Sequence, residues 1–138
     1  MKVKHNPVRA VVAGQRLVVV EDSIVRGTTL SKLVSLFRSA GARAVHVRVS
    51  SPPTTGPCHY GIDTPSREEL IASSQTVEEI RKFVGADSLG YLSLEGLHGA
   101  LGARSTANGE LCDACFSLSY PIPPVPPARL RQLRLISP

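Results

Sequence analysis

The sequence has 138 residues, 42% hydrophobic and 20% charged, which is enough for one modest folded domain and too apolar for a disordered chain. Its formal net charge of +5 would suit nucleic-acid binding, but no block of Lys and Arg interleaved with aromatic residues accompanies it, so we expect no nucleic-acid partner. No apolar run approaches the ~20 residues of a membrane helix and no signal-peptide core follows Met1, so we expect a cytoplasmic protein without membrane contact.

The first third of the chain predicts a strand, a helix and a second strand after an irregular lead-in over 3–13. The run 17–20 is apolar without alternation, which predicts a parallel strand covered on both faces. Apolar residues at helical spacing predict a helix over 31–40, and Gly41 ends it. The alternating, β-branched run 44–49 predicts the next strand. Together these elements predict one right-handed βαβ unit.

Two acids and a hydroxyl-rich loop follow the first predicted strand. Glu21 and Asp22 fall at its carboxyl end, where open α/β sheets bind ligands. The loop from Ser23 to Thr29 brings backbone N–H groups and hydroxyls to the start of a helix, which favours phosphate, although it is neither a dinucleotide fingerprint nor a nucleoside-triphosphate loop. The two carboxylates suit ribose hydroxyls, directly or through Mg²⁺. The alternative is an ordinary βα turn in which Asp22 or Ser23 caps the following helix, but the ordered match over 17–29 favours the sugar phosphate.

Shorter elements are predicted after residue 50. Ser66-Arg67-Glu68-Glu69 predicts a capping box that opens a short helix to Ala72. Thr76-Val77-Glu78-Glu79 predicts a second capped helix that runs to Val84 before Gly85. Residues 88–92 and 95–101 predict a short strand and a final helix. Five prolines between Pro121 and Pro127 predict an irregular tail.

Cys112 and Cys115 form a Cys-x-x-Cys pair, and Cys58 lies in a predicted loop over 54–64. Three cysteines are too few for a disulfide scaffold. They suit a soft metal or a cluster, one ligand short of the usual four. His59 is a candidate fourth ligand, but as the neighbour of Cys58 it points differently and is better explained as a surface residue. A thioredoxin-like redox pair fits poorly, since that motif opens a helix within a βα unit.

The motif at 17–29 resembles the phosphoribosyl pyrophosphate (PRPP) loop of the type I phosphoribosyltransferases. Further matches in order extend the resemblance over residues 2–121 to the iron–sulfur form of the amidophosphoribosyltransferase family, and they lie at 3–9, 57–65, 69–72, 76–81, 85–87, 112–116 and 120–121. The resemblance implies an α/β fold with a Rossmann-like parallel sheet. It implies a partial phosphoribosyltransferase domain over 1–102 with a helical C-terminal segment, followed by a Cys-x-x-Cys cluster-binding segment over 103–120. The tail over 121–138 follows no family pattern, and its prolines predict that it is disordered. That family converts PRPP and glutamine to 5-phosphoribosylamine, glutamate and pyrophosphate in the first step of purine synthesis.

The resemblance also assigns site residues. It implies that the ribose and 5-phosphate of PRPP are bound by Glu21, Asp22, Ser23, Val25, Arg26, Gly27, Thr28 and Thr29. It associates Glu21 and Asp22 with Mg²⁺, and it makes Cys58, Cys112 and Cys115 three of the four ligands of a [4Fe–4S] cluster. The choice of iron–sulfur over zinc comes from the resemblance and not from the spacing. The full-length family implies a homo-oligomer, and no catalytic residue is carried over.

The departures from the family limit what the sequence predicts. Position 1 is Met and position 2 is Lys, where the family's glutaminase domain begins with a nucleophilic cysteine. The pyrophosphate-binding segment, the mobile lid and the fourth cluster cysteine also have no counterpart. Because the donors for pyrophosphate are missing, we expect weak or no activity from the isolated chain. Two alternatives are a non-catalytic ribose-phosphate-binding module and a metal-clamped interaction domain of a split enzyme, with an exposed sheet edge.

Overall fold

A three-stranded parallel sheet carries the fold. The computed structural model of the chain describes residues 6–102 and 111–124. The strands lie in the order β1-β2-β3 and are β1 (Arg16–Glu21), β2 (Ala44–Val49) and β3 (Ser88–Tyr91). The register pairs Glu21 with Val49, and Val49 with Tyr91, so the carboxyl ends of all three strands meet at one edge. The α/β class and all three predicted strands are confirmed.

Five helices and two short 3₁₀ turns are present in the described residues. The helices are α1 (Arg9–Val12), α2 (Thr28–Ser39), α3 (Val77–Val84), α4 (Leu94–Leu101) and α5 (Ala114–Ser117). The sequence predicted α2, α3 and α4 but not the single turns α1 and α5. No helix within 6–102 or 111–124 is long and apolar enough to cross a membrane. Residues 1–5, 103–110 and 125–138, with most of the predicted tail, lie outside the described part.

The core lies on one face of the sheet, where α2 and α3 pack. Val45 and Val47 of β2 are fully buried, and Val34 of α2 and Ile80 of α3 pack against them. On the opposite face Val18 and Val20 of β1 are 65% and 72% exposed. The prediction that both faces of β1 are covered is therefore wrong. A continuous apolar run is typical of a strand that is buried on both faces, whereas the described helices pack on one face of this sheet only.

Local signals give α3 its bounds. Thr76 accepts a hydrogen bond from the Glu79 amide, and the Glu79 carboxylate accepts one from the Thr76 amide at 2.7 Å, so the capping box is reciprocal. Gly85 ends the helix in the left-handed conformation, with φ at 77°. The predicted helix and both its ends are confirmed.

The predicted capping box and helix after Ser66 are wrong. Two 3₁₀ turns, Arg67–Glu69 and Ile71–Ser73, replace the helix, and the Ser66 side chain makes no capping hydrogen bond to the first turn. Leu70 between them is extended, with ψ at 112°, and its side chain is fully buried. The next amide, that of Ile71, donates to the Val25 carbonyl at 2.9 Å. Burial of Leu70 and this long-range bond require the break that local propensity does not show.

Candidate functional site

The loop between β1 and α2 lines a cavity of about 260 Å³ at the carboxyl edge of the sheet. Its lining residues are Glu21, Ser23, Ile24, Val25, Arg26, Gly27, Thr28, Thr29 and Leu30. The structure thus brings together every residue of the predicted sugar-phosphate site except Asp22. Asp22 is exposed beside the cavity, and its carboxylate accepts a hydrogen bond from the Ser23 hydroxyl at 3.3 Å.

The start of α2 opens onto this cavity. Gly27 is the residue before the first helical turn, has φ at 71° and offers no side chain to cap the helix. The first helical hydrogen bond runs from the Ser31 amide to the Gly27 carbonyl at 2.9 Å. The amides of Thr28, Thr29 and Leu30 precede Ser31, so they have no acceptor within the helix and can donate to a ligand. The positive end of the helix dipole strengthens the attraction for an anion at this point. This arrangement favours an anionic group in the cavity.

Distant residues hold the loop in place. The Arg26 guanidinium donates to the Glu69 carboxylate at 2.7 Å, and the Val25 carbonyl accepts from the Ile71 amide. A Cβ on Gly27 would lie 3.0 Å from Ile71 Cδ1 and 3.1 Å from Phe83 Cε1, closer than ordinary van der Waals contact. Sequence reasoning missed these contacts, because pairs separated by more than forty residues leave no local signal. Arg26 is thereby tied to a carboxylate rather than left as an unshared charge over the cavity.

The two acids at the end of β1 suit a hard divalent cation. Glu21 is half-buried and lines the cavity, whereas the adjacent Asp22 is exposed. Mg²⁺ is commonly held by one or two carboxylates together with substrate phosphates and water. The donor set therefore fits Mg²⁺ bound jointly with a phosphorylated ligand.

A second, mostly apolar cavity of about 280 Å³ gathers the three cysteines. Its lining residues are Cys58, Tyr60, Ile62, Thr64, Cys112, Ala114, Cys115 and Tyr120. Within the described residues no three His, Cys, Asp or Glu side chains stand close enough to share one metal ion. An iron–sulfur cluster does not require that, because each thiolate binds a different iron. The three thiols on one cavity therefore fit a cluster better than a single zinc ion.

The sulfurs in this cavity influence one another. Burial raises the pKa of the Cys115 thiol, and the nearby Cys58 and Cys112 sulfurs add to the rise. Cys58 Sγ accepts a hydrogen bond from the Tyr60 amide at 3.4 Å. Since like charges oppose one another here, a bound cationic cluster would favour the thiolate forms. His59, the other candidate ligand, is exposed and does not line the cavity. Its ring packs edge-on against the ring of Tyr120.

Hydrogen bonds fix the Cys-x-x-Cys segment to the rest of the chain. The carboxylate of Asp113, between the two cysteines, is hydrogen-bonded to His98 Nε2 of α4 at 2.9 Å. It also accepts a hydrogen bond from the Ser117 hydroxyl at 2.8 Å. The amides of Thr55 and Gly56 both donate to the Cys115 carbonyl at 3.0 Å. The segment is thus attached to α4 and to the loop that carries Cys58.

Comparison with curated proteins finds relatives named amidophosphoribosyltransferase. A chloroplastic enzyme of Arabidopsis thaliana is 53% identical over 124 residues, which are 90% of this chain and 21% of the relative. The Bacillus subtilis enzyme is 53% identical over 122 residues, or 88% of this chain and 26% of the relative. The Methanothermobacter thermautotrophicus enzyme is 47% identical over 123 residues. No protein-family model matches the chain.

Two solved structures share the fold at 55% sequence identity. One is described as the allosteric regulatory enzyme of purine biosynthesis and superposes with a TM-score of 0.76 over 83% of this chain. The other is a glutamine PRPP amidotransferase from B. subtilis in complex with ADP and GMP, with a TM-score of 0.77 over 84% of this chain. The chain spans about a quarter of each of these structures, 25% and 26% respectively.

Proposed function

Because the chain is homologous to the C-terminal part of the phosphoribosyltransferase domain in amidophosphoribosyltransferases, we propose that it supplies the ribose 5-phosphate half of a PRPP site. The observation that carries the proposal is the segment over 21–29 that lines the cavity, in which a left-handed Gly27 stands at the uncapped start of α2. In this position a phosphate would meet backbone donors, hydroxyls and the positive helix end together.

Each side of the loop has its own role in the proposal. The amides of Thr28 and Thr29, with their hydroxyls, would donate to the oxygens of the 5-phosphate. The carboxylates of Glu21 and Asp22 would accept hydrogen bonds from the ribose hydroxyls and so orient the sugar. When bound by these two acids, Mg²⁺ would neutralise charge on the departing pyrophosphate.

The complete reaction needs more than these residues. We propose that the chain acts within an amidophosphoribosyltransferase, where other parts bind pyrophosphate and release ammonia from glutamine. The share of each relative that the chain spans, 21% and 26%, supports this division. We further propose that the complete enzyme is a homo-oligomer, as in the family. A cytoplasmic location belongs to the proposal because a reducing compartment keeps cysteines as thiols.

We propose that Cys58, Cys112 and Cys115 hold three corners of a [4Fe–4S] cluster. Their common cavity and the hydrogen bond to Cys58 Sγ support the proposal. The sequence contains three cysteines, so the fourth ligand would come from outside it or would not be a thiolate. The cluster would join the loop over 54–64 to the segment after 111, and its role would be structural rather than catalytic.

Titration calorimetry tests the sugar-phosphate site. The 138-residue chain with Mg²⁺ should give binding heat with ribose 5-phosphate and none with ribose. Thr29→Val removes a hydroxyl at the cavity and should weaken binding. The matched control, Ser39→Ala, removes a hydroxyl that donates to the Ser35 carbonyl at the other end of α2 and should leave binding unchanged. Absence of heat with ribose 5-phosphate, or equal heat with ribose, would refute the proposal.

An activity assay of the isolated chain tests whether the complete reaction needs other parts of the enzyme. With PRPP, Mg²⁺ and excess ammonia, the chain alone should form no phosphoribosylamine, because the donors for the leaving pyrophosphate lie elsewhere. Clear product formation would show that these 138 residues suffice.

The open face of the sheet favours a second candidate function, that of an interaction module for the rest of a split enzyme. Val18 and Val20 form an apolar strip on β1, with Arg48 of β2 beside them in register with Val20. An exposed apolar face at a sheet edge promotes association. Light scattering should then detect self-association of the chain, and a clean monomer at high concentration would count against this candidate.

A further inference from the structure

Two tyrosines join the loop that carries Cys58 to the segment that carries Cys112 and Cys115. The Tyr120 hydroxyl donates to the Pro57 carbonyl at 2.7 Å, next to Cys58. In the other direction, the Tyr60 hydroxyl donates to the Ile122 carbonyl at 2.6 Å and accepts from the Ile122 amide at 3.0 Å. Each tyrosine thus reaches from its own segment to the backbone of the other.

The two rings also pack against each other beside the thiols. Their centroids are 6.3 Å apart in an edge-to-face arrangement, and both rings line the cysteine cavity. Gly56 makes room for the Tyr120 hydroxyl beside Pro57, because a Cβ there would lie 2.5 Å from the hydroxyl oxygen. We call Tyr60 and Tyr120, with these hydrogen bonds, the tyrosine clasp.

We propose that the tyrosine clasp positions Cys58 opposite Cys112 and Cys115 before a cluster binds, and slows loss of the cluster afterwards. This inference rests on the proposed cluster. The two segments are more than fifty residues apart in the sequence, so contacts between them must bring their thiols together. The Thr55 and Gly56 amides join the segments at the Cys115 carbonyl, and the clasp joins them a second time through residues on the C-terminal side of Cys115. Residues that orient metal ligands without binding the metal commonly change metal affinity by about 10–100-fold when removed. Tyr60 and Tyr120 are therefore positioning residues, and the thiolates are the ligands.

Removal of single hydroxyls tests the clasp. Tyr60→Phe and Tyr120→Phe keep the rings and delete the cross-segment hydrogen bonds. The matched control is Tyr91→Phe in β3, because the Tyr91 hydroxyl is buried without a hydrogen-bond partner in the described structure. All variants are loaded anaerobically with ferric iron, sulfide and excess dithiothreitol, which reduces part of the iron and offers a thiolate for the fourth position. Iron and acid-labile sulfide per chain are then measured, together with the rate at which a chelator bleaches the visible absorbance.

The expected result is a cluster in the wild type and in the Tyr91 control, and bleaching about tenfold faster in each clasp variant. The double variant should bleach only slightly faster than either single variant, because both hydroxyls join the same two segments and their effects are not additive. Clasp variants that bleach at the wild-type rate would overturn the inference while the cluster proposal stands. A wild type that takes up no iron and sulfide would overturn the cluster proposal and the inference with it.

A general loss of stability is distinguished by melting the iron-free proteins. Circular dichroism should give the same melting temperature for the clasp variants and for the wild type, because the sheet and its core do not include the clasp. A fall in melting temperature that parallels the faster bleaching would assign the tyrosines to overall stability and overturn their role in positioning.

Discussion

Replacement of Gly27 by Ala tests how tightly the phosphate loop is built. Gly27 has φ at 71°, a conformation that costs an L-residue about 1–2 kcal/mol. A Cβ there would lie 3.0 Å from Ile71 Cδ1 and 3.1 Å from Phe83 Cε1, and such overpacking costs about 1–3 kcal/mol. The two effects together should lower the free energy of unfolding by about 2–5 kcal/mol.

A second glycine separates the two effects. Gly14 has nearly the same backbone angle, with φ at 75°, but its Cβ would meet nothing within 4 Å. Gly14→Ala should therefore cost only the conformational part, about 1–2 kcal/mol. Urea unfolding followed by circular dichroism measures both variants. If Gly27→Ala is no more destabilising than Gly14→Ala, the proposed close packing beneath the loop is wrong.

A double variant checks the source of the steric part. Phe83 is 47% exposed, so Phe83→Ala should cost less than a core truncation. In the Gly27→Ala background, Phe83→Ala should recover at least about 0.5 kcal/mol relative to additivity, because it removes the ring that the new methyl group meets. Strict additivity of the two substitutions would contradict a direct contact.

Three further outcomes are expected. The Asp87 carboxylate accepts a hydrogen bond from the Val45 amide at 2.6 Å, and this bond together with the Arg38 guanidinium lowers the pKa of the carboxyl group. Asp87→Asn should therefore lower the free energy of unfolding by about 1 kcal/mol at neutral pH. This cost should disappear in urea unfolding as the pH falls through the lowered pKa, because the native carboxyl group is then protonated. Val47→Lys should unfold the chain in circular dichroism because Val47 is fully buried, whereas Val20→Lys on the open face should shift stability by less than about 0.5 kcal/mol. Burial raises the pKa of Tyr91 to about 12, so the tyrosine signal in an ultraviolet titration should still be rising as the pH approaches 12, and a titration already complete near pH 10 would contradict that burial.

Local sequence signals predicted the elements whose causes are local. The capping box at Thr76 and the left-handed Gly85 place both ends of α3 within a few residues of their causes. The alternating run of β2 matches its observed bounds, Ala44–Val49. The position of the loop between β1 and α2 was also predicted correctly, because strand, acids, glycine and helix follow one another directly in the sequence.

The errors arise where distant contacts decide the structure. Leu70 interrupts the predicted helix because its burial and the bond from Ile71 to Val25 depend on a loop more than forty residues away. Val18 and Val20 read as buried because their composition suits a two-sided sheet, while the described helices cover only one side. The tyrosine clasp has no signal in the sequence at all, since only the fold brings its two segments together.

The most direct test of the account is to locate ribose 5-phosphate on the chain by nuclear magnetic resonance. Addition of the sugar phosphate with Mg²⁺ should shift the backbone amide signals of Thr28, Thr29 and Leu30, because those amides would donate to the phosphate. The amides of Arg38 and Ser39, at the opposite end of α2, should stay in place. Shifts confined to residues outside 21–30, or none at saturating ligand, would contradict the claim that this loop is a sugar-phosphate site.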